Sequence, residues 1–226
     1  MRVLIAGANR GLGLALSGLF AEKGHTVYAG ARREFSPGLL RAAGEFPGLR
    51  PLELDVTDEA GAAKAAGEIA GALDAVIVVA GILPESDKRL LITDADIGDF
   101  RRTLEVNAVG SAVMAKHFHS LVRDGGMFVL VSSEAGSMTN VGAGYPGYSV
   151  SKAAQNKLAA VLAKTVPGIR VYAIHPGRMN TDMGRENAQI EPEEAALGIF
   201  RIVSGETEVP PERGWFIDYR GQAMEV

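Results

Sequence analysis

The stretch Met127–Lys152, MFVLVSSEAGSMTNVGAGYPGYSVSK, predicts a strand that leads through a loop into a helix. Its first part, Met127–Val131, is apolar, rich in β-forming residues and too short for a helix. Such a run is typical of a strand that is buried on both faces of a sheet. Ser132 and Ser133 end this strand, and a loop of glycines and small polar residues leads to a helix predicted over 148–165. A buried strand followed by a helix is the repeating unit of α/β proteins.

The predicted helix begins with a tyrosine and a lysine four residues apart, Tyr148 and Lys152. Residues at this spacing lie on one face of a helix, one turn apart. An ammonium group close to a phenol favours the phenolate and lowers the phenol pKa from its usual value of about 10. A phenol tuned in this way is a usable general acid or base, and a serine at the strand end could hold the reacting oxygen beside it. The pair alone is common by chance in helices, so its weight comes from the strand, serines and loop that precede it.

A glycine-rich turn follows the first predicted strand of the chain. Arg2–Ala6 is a short apolar strand, and Gly7-Ala-Asn-Arg-Gly11-Leu-Gly13 follows at once, before a helix that ends near Gly24. Glycines at this place let the backbone approach a pyrophosphate, and the helix N-terminus supplies free N–H groups and a favourable dipole. The same three glycines could instead form a simple turn.

The rest of the chain alternates apolar strands with helical segments. The predicted strands are Arg2–Ala6, His25–Gly30, Arg50–Leu54, Ala75–Ala80, Met127–Val131, Ile169–Ile174 and Gly214–Asp218. Helices are predicted over 58–72, after Thr93 as a cap, over 148–165 and from Pro192 to about Val203, whereas 34–49 is predicted as a loop with one helical turn at most. This order predicts one domain over residues 1–226: a doubly wound, Rossmann-type sheet of about seven mostly parallel strands with helices on both faces.

Composition excludes several classes of function. The 226 residues are 47% hydrophobic and 22% charged, as in globular proteins, and no apolar run reaches the 18 residues of a membrane span. A net charge of −4 without basic clusters argues against a nucleic-acid partner. The absence of cysteine excludes thiol catalysis, and with a strand starting at Arg2 we expect no signal peptide and a cytoplasmic location. His117 and His119 point apart on a helix, so we expect no metal site.

The residues after the second strand bear on the choice of cofactor. A site for NAD places an Asp or Glu about 20 residues past the glycines, where it binds the ribose 2′-hydroxyl. Here that place holds Ala31, followed by Arg32 and Arg33. A cation favours a 2′-phosphate, and Arg10 could add a second one, so the sequence predicts NADP(H). The alternative is that these arginines are solvated loop charges.

The order of these motifs resembles the short-chain dehydrogenase/reductase family along nearly the whole chain, and within it the small carbonyl reductases of the sniffer and C-factor type. The resemblance implies an NADPH-dependent oxidoreductase that reduces a ketone or aldehyde to an alcohol. The resemblance also implies that Ser133 binds the substrate oxygen, that Tyr148 transfers the proton, and that Lys152 tunes the tyrosine and holds the nicotinamide ribose. Ser133 is chosen over Ser132 because Ser133-Glu-Ala-Gly136 fits the Ser-x-x-Gly placement of the family.

Asn107 completes the catalytic set that the resemblance implies. It falls on the apolar stripe formed by Ile97, Phe100 and Leu104, so its amide must find buried hydrogen-bond partners. In the family the asparagine at this place holds a water that connects to the lysine. The alternative is that the amide only braces neighbouring segments.

The resemblance also implies the cofactor contacts. They are Gly7, Asn9, Arg10, Gly11, Leu12, Gly13, Arg32, Asp55, Val56, Ala80, Gly81, Tyr148, Lys152, Pro176, Gly177, Met179 and Thr181. Asp55, with Thr57, could alternatively cap the following helix.

The chain departs from the family pattern at several places. Ala6 replaces a usual threonine, and Val78 and Val79 replace two asparagines, so other groups must satisfy the backbone there. The Ser133–Tyr148 spacing of fifteen residues is longer than the commonest one, and the loop between Met183 and Pro192 is short, which predicts a comparatively open site.

Two other classes of function stay open, together with the nature of the substrate. A non-catalytic NADP(H)-binding sensor could keep this fold, and a serine hydrolase would need a G-x-S-x-G elbow, which this sequence lacks. The expected partner is a small-molecule carbonyl or alcohol substrate. We expect no membrane association, and the protein could form a homo-oligomer. Ile82, Leu83, Met138 and Met183 are candidate pocket residues that suggest tolerance for an apolar carbonyl.

Overall fold

A seven-stranded sheet forms the centre of the protein in the computed structural model, which describes residues 1–32, 34–181, 183, 188–210 and 214–226. The strands are β1 Arg2–Ala6, β2 Thr26–Ala31, β3 Leu49–Glu53, β4 Leu73–Val78, β5 Val122–Val131, β6 Arg170–His175 and β7 Phe216–Asp218. All neighbours pair in parallel, in the order β3-β2-β1-β4-β5-β6-β7. The predicted Rossmann-type α/β fold is confirmed.

Helices cover both faces of this sheet. The α-helices are α1 Gly11–Glu22, α2 Pro37–Glu45, α3 Glu59–Glu68, α4 Ile97–Leu104, α5 Gly110–Phe118, α6 Pro146–Thr165 and α7 Pro192–Ser204. A π-helical turn, Glu105–Val109, joins α4 to α5 without a break in the helical chain.

Strand residues that are consecutive in sequence enter opposite cores, as the pleat of a strand requires. Ile5 and Ile77 face the core formed with α1, α2 and α7, whereas Leu4, Val76 and Phe128 face the core formed with α3, α5 and α6. Because the central strands are apolar on both faces, they read in the sequence as unbroken hydrophobic runs.

The segment predicted as a loop over 34–49 contains α2, nine residues long, and that prediction was wrong. The Ser36 side chain caps the helix by accepting a hydrogen bond from the Leu39 N–H at 3.1 Å. Pro37 stands at the first helical position, where its missing N–H costs nothing. The glycines and prolines of this segment therefore mark the ends of a helix as well as a loop.

The predicted cap Thr93 and the alternative caps Asp55 and Thr57 are wrong for a shared reason, because a neighbouring aspartate takes the position in each case. Asp96, not Thr93, caps α4 by accepting from the Asp99 N–H at 2.8 Å. Asp58, not Asp55 or Thr57, caps α3 by accepting from the Gly61 N–H at 3.0 Å.

β5 begins five residues before the predicted Met127, at Val122. Its register with β4 shifts between Leu73 and Ala75, and Gly125 adopts a positive φ of 74° there. This polar, glycine-containing irregularity has no alternating pattern, which explains why the sequence did not predict the early start.

The C-terminal ends of β1, β4, β5 and β6 meet at one edge of the sheet. The chain order reverses between β1 and β4, since β2 and β3 lie on one side of β1 and the later strands on the other. Open α/β sheets bind ligands in the crevice at such a reversal.

Candidate active site

The start of α6 is fixed by a carboxylate from another part of the chain. Asp87 accepts from the Gly147 N–H at 2.9 Å and from the Tyr148 N–H at 2.7 Å, and only 7% of its surface is exposed. Tyr145, just before the helix, has a left-handed backbone and provides no side-chain cap. Asp87 therefore positions the backbone of Tyr148. Sequence reasoning missed it, and the one available signal was the absence of a local capping residue before Pro146.

The two serines at the end of β5 have different partners. Ser132 is buried, and its hydroxyl donates to Asn156 Oδ1 at 2.5 Å, a contact between strand and helix. The Ser133 hydroxyl accepts from the Ala135 N–H at 3.2 Å and lies close enough to Tyr148 to favour its phenolate form. Ser133 is thus the serine that meets Tyr148.

Lys152 lies one turn after Tyr148 and is almost fully buried, with 4% of its surface exposed. Its Nζ donates to the Val131 carbonyl at 2.8 Å and to Gln155 Oε1 at 2.9 Å. The Nζ also lies 5.5 Å from the centroid of the Tyr148 ring. Burial lowers the pKa of Lys152 to about 7.

The structure does not give the predicted lowering of the Tyr148 pKa. Burial raises the pKa of Tyr148 to about 12, the Ser133 hydroxyl acts against this, and the charge of Glu134 adds to it. Burial disfavours the charged form of both groups, the phenolate and the ammonium. The tyrosine is therefore a protonated phenol at neutral pH.

The Asn107 side chain is fully buried in the π-helical turn and braces the loop after β4. Its Oδ1 accepts from the Ile82 N–H at 2.8 Å, and its Nδ2 donates to the Ile82 carbonyl at 3.0 Å and to Ser151 Oγ at 2.9 Å. These three contacts correspond to the bracing alternative for this residue.

Other groups in this chain bind the backbone at the end of β4, where the family pattern has two asparagines. The N–H groups of Val79 and Ala80 both donate to the Ala6 carbonyl, at 2.8 and 2.9 Å. Val78 is buried in the core, and Asn107 satisfies the next part of the loop. β1 and the π-helical turn therefore supply the groups that replace the asparagines.

The glycine loop passes very close to the end of β4. Gly7 has a φ of 98°, and a Cβ there would lie 2.7 Å from the Ala80 nitrogen, while a Cβ at Gly13 would overlap the Gly7 carbonyl. Among the described residues, no acceptor is bonded to the N–H groups of Gly11, Leu12 and Gly13 in the first turn of α1. A close backbone and free N–H groups at a helix N-terminus fit a pyrophosphate.

Asn9 shapes the region beside the glycine loop. Its Nδ2 donates to the Glu34 carbonyl at 3.1 Å, and its Oδ1 accepts from the Ser36 N–H at 2.8 Å. The Ser36 hydroxyl donates back to the Asn9 carbonyl at 2.6 Å. The loop after β2 is therefore tied to the glycine loop.

The cations predicted for the 2′-phosphate lie near this junction. Arg10 and Arg32 are exposed, whereas Ala31 packs in the core with 2% of its surface exposed. Ala31 therefore faces the core, and Arg32 is the first side chain after β2 at the surface. Arg33 lies outside the described residues.

The two residues predicted to flank an adenine behave differently. Asp55 Oδ1 accepts from the Thr57 N–H at 2.9 Å and from the Thr57 hydroxyl at 2.8 Å, which closes a turn after β3. The Val56 side chain is buried, and a Cβ at Gly110 would lie 2.7 Å from its Cγ2. A cofactor contact of Val56 would therefore be made by its backbone.

The segment after β6 brings its threonine to the glycine loop. Pro176 is buried, Gly177 has a φ of 84°, and Met179 forms a bridge with Ile190. The Thr181 methyl lies 3.6 Å from where a Cβ of Gly11 would be. Asp182 and residues 184–187 lie outside the described residues, and with them most of the loop predicted to be a short cover.

An ion pair that sequence reasoning missed connects the loops after β5 and β6. Arg178 Nε donates to Glu134 Oε1 at 2.7 Å, and His175 Nδ1 accepts from the Glu134 N–H at 3.3 Å. The Arg178 hydrogen bond lowers the pKa of Glu134, while burial lowers the pKa of His175. Oppositely charged residues after neighbouring strands were the available sequence signal.

A cavity of about 280 Å³ opens at the edge of the sheet where β1 and β4 end. Its lining includes Ile82, Leu83 and Met183, three of the four apolar residues predicted for a substrate pocket, together with Arg10 and Arg102. Met138, the fourth, is 71% exposed.

Within the described ranges, no helix is long and apolar enough to cross a membrane, and no group of three metal-ligating side chains is present.

The chain belongs to the short-chain dehydrogenase family, whose sequence model matches residues 1–192. It is therefore an oxidoreductase by family. Among curated relatives it is 29% identical to the short chain dehydrogenase gsfK of Penicillium aethiopicum, over 98% of both chains.

The solved structures that the chain resembles include carbonyl reductases, as the sequence predicted. A carbonyl reductase from Pseudomonas aeruginosa PAO1 is 29% identical over the full length of both chains, with a TM-score of 0.85. The same enzyme in complex with NADP aligns at 28% identity over 100% of both chains, with a TM-score of 0.85. Carbonyl reductase Sniffer of D. melanogaster shares the fold at 24% identity and a TM-score of 0.87, with 100% of this chain and 99% of that chain covered.

Proposed function

We propose that the protein is an NADPH-dependent carbonyl reductase that converts a ketone or aldehyde to an alcohol. The observation that carries this proposal is the contact of Ser133 with Tyr148, with buried Lys152 one turn further along α6. The three side chains lie at the edge where the free N–H groups of the glycine loop also lie. The resemblance to carbonyl reductases supports the same reaction.

Ser133 and Tyr148 hold the substrate carbonyl oxygen between their hydroxyl groups. Bound NADPH supplies the hydride that reduces the carbonyl carbon. Tyr148 gives its proton to the oxygen, and its pKa of about 12 keeps that proton in place at neutral pH until it is needed. This protonation state suits reduction of a carbonyl better than oxidation of an alcohol.

Lys152 stabilises the negative charge that develops on Tyr148 and binds the nicotinamide ribose. Two of its three N–H groups are used by Val131 and Gln155, which leaves the third for a ligand. Gly81 keeps the space before it open, since a Cβ there would lie 3.6 Å from Nζ and 3.2 Å from Asn107 Oδ1. Asn107 contributes by holding the loop that carries Gly81.

NADP(H) is the proposed cofactor because Arg32 and Arg10 are surface cations beside the loop that Asn9 ties down. The pyrophosphate is assigned to Gly7, Gly11, Leu12 and Gly13. The remaining contacts proposed are Asp55 and the backbone of Val56 for the adenine, and Ala80, Pro176, Gly177, Met179 and Thr181 for the nicotinamide half. The NADP complex of the similar Pseudomonas enzyme supports this choice.

The decisive experiment follows NADPH oxidation with a panel of aliphatic and aromatic ketones and aldehydes. We expect turnover with carbonyls whose apolar part contacts Ile82, Leu83 and Met183, in a cavity that Arg10, Asp99 and Arg102 also line. NADPH binding without turnover on any carbonyl would favour the sensor. A serine hydrolase has little support, because His175 contacts the backbone of Glu134 and neither serine hydroxyl.

A further inference from the structure

A chain of buried polar groups runs from Lys152 away from the reacting atoms. Lys152 Nζ donates to Gln155 Oε1 at 2.9 Å, and Gln155 Nε2 donates to Ser111 Oγ at 2.8 Å. The Ser111 hydroxyl donates to the Asn107 carbonyl at 2.7 Å. Gln155 and Ser111 are both fully buried, so the chain connects α6 to α5 and the π-helical turn within the core.

The hydrogen bonds of Ser111 determine which atom of the Gln155 amide faces Lys152. Ser111 has a single hydroxyl proton, which goes to the Asn107 carbonyl, so its oxygen accepts from Gln155. The amide nitrogen of Gln155 must then face Ser111, and its oxygen must face Lys152. A buried polar group left without a partner is costly, so the opposite orientation is disfavoured.

An acceptor at this position favours the charged form of the lysine. An ammonium donates three hydrogen bonds and accepts none, and Val131 and Gln155 provide two acceptors. Burial acts in the opposite direction and lowers the pKa of Lys152 to about 7, so each acceptor shifts the charged fraction at neutral pH.

Among the described residues near Lys152, the Val131 carbonyl is the one other acceptor, and it belongs to the main chain. Tyr148 on the same helix is a protonated phenol at neutral pH, and β5 contributes the neutral Val131 carbonyl. Glu134, after β5, acts on the pKa of Tyr148, while Asn107 and Ser111 are neutral. Gln155 is therefore the side chain best placed to keep the lysine charged.

We propose that Gln155, oriented by Ser111, is a positioning residue that keeps Lys152 as an ammonium ion and directs its third N–H towards the open side of Gly81. The catalytic part of this inference rests on the proposed function. The part that concerns the charge state of Lys152 is independent of the proposed function, because this charge state can be measured in the protein without cofactor.

The first test is an NMR titration of the Lys152 side chain through its 13Cε signal, assigned as the signal that Lys152→Met lacks. Gln155→Leu removes the acceptor at similar volume, and we expect the Lys152 pKa to fall by about one to two units. Gln155→Glu keeps an acceptor oxygen towards Lys152 in either protonation state, so the pKa should stay or rise.

The second test follows alcohol oxidation at saturating NADP⁺ across pH. This direction needs a phenolate, so loss of charge on Lys152 should move the rising limb to higher pH and lower kcat at pH 7 by about ten-fold. Ser111→Ala should shift both readouts in the same direction but less. Thr103→Val is the matched control. Like Ser111, buried Thr103 donates its hydroxyl to the carbonyl four residues earlier, at 2.8 Å, but it takes no part in the hydrogen bonds that lead to Lys152.

An unchanged Lys152 pKa in Gln155→Leu would overturn the inference. If Gln155→Leu fails to fold, Ser111→Ala carries the test, and a wild-type pKa and pH profile in that variant overturns it equally. Failure of the proposed function looks different: the wild type would turn over no carbonyl, or Tyr148→Phe would retain turnover, while Gln155→Leu would still show the NMR shift.

Discussion

Asp87 offers a prediction whose size follows from two hydrogen bonds at the start of α6. Asp87→Ala removes the acceptors of the Gly147 and Tyr148 N–H groups and the negative charge at the N-terminus of α6. Capping contributes about 0.5–2 kcal/mol, and a buried donor left unpaired costs about 1–3 kcal/mol. We expect a loss of about 2–4 kcal/mol, since water can reach part of this end. For a chain of this size that lowers Tm by about 4–16 °C.

Thermal unfolding and steady-state kinetics measure the two consequences. Because the helix start carries Tyr148, kcat should fall by about ten-fold or more, as small displacements of a reacting group are costly. Asp87→Asn, which keeps one acceptor, should be intermediate in both assays. Asp58→Ala removes the exposed cap of α3 and should lower Tm by no more than a few degrees without affecting kcat. An Asp87→Ala variant with wild-type Tm and kcat would refute this account of α6.

The remaining predictions concern the cofactor and Lys152. Arg32→Gln should weaken NADPH binding about 10- to 150-fold and leave NADH almost unchanged, and equal affinity of the wild type for both cofactors would contradict the assignment. Lys152→Ala should raise the dissociation constant of NADPH and lower kcat, and a pH–rate profile unmoved at saturating cofactor would exclude the tuning role. Gly81→Ala should weaken cofactor binding because its Cβ would lie 3.2 Å from Asn107 Oδ1, and unchanged affinity would argue against this route. Because Lys152 has a folded pKa of about 7, below its unfolded value, wild-type stability should rise relative to Lys152→Met as pH increases above 7, and parallel stability curves would contradict that pKa.

The fold was predictable because its signals are local. Runs such as Ala75–Ala80 and Met127–Val131 are apolar on both faces, which is what a central parallel strand requires. The errors arose where one residue type serves two structures: Pro37 begins a helix in a segment that reads as loop, and Gly125 interrupts β5 without ending it.

The candidate site was predictable only in its residue types. Tyr148, Lys152 and Ser133 stand out by spacing, and the structure brings them together. The contacts that hold them come from distant parts of the chain: Asp87 lies 61 residues before Tyr148, and Ser111 lies 44 residues before Gln155. No local pattern in a single sequence encodes such contacts. The raised pKa of Tyr148 depends on burial, which the spacing of two residues does not show.

The central claim, proton transfer by Tyr148, is tested most directly by turnover of Tyr148→Phe in NADPH-dependent carbonyl reduction. The substitution removes one hydroxyl, and proton transfer typically contributes about 10²–10⁴-fold. Tyr145→Phe, three residues earlier, removes the same atom outside the proposed machinery and should retain wild-type turnover. The account predicts that Tyr148→Phe loses at least about 100-fold in kcat while NADPH affinity stays nearly unchanged. A Tyr148→Phe variant that keeps more than about a tenth of the wild-type turnover would contradict it.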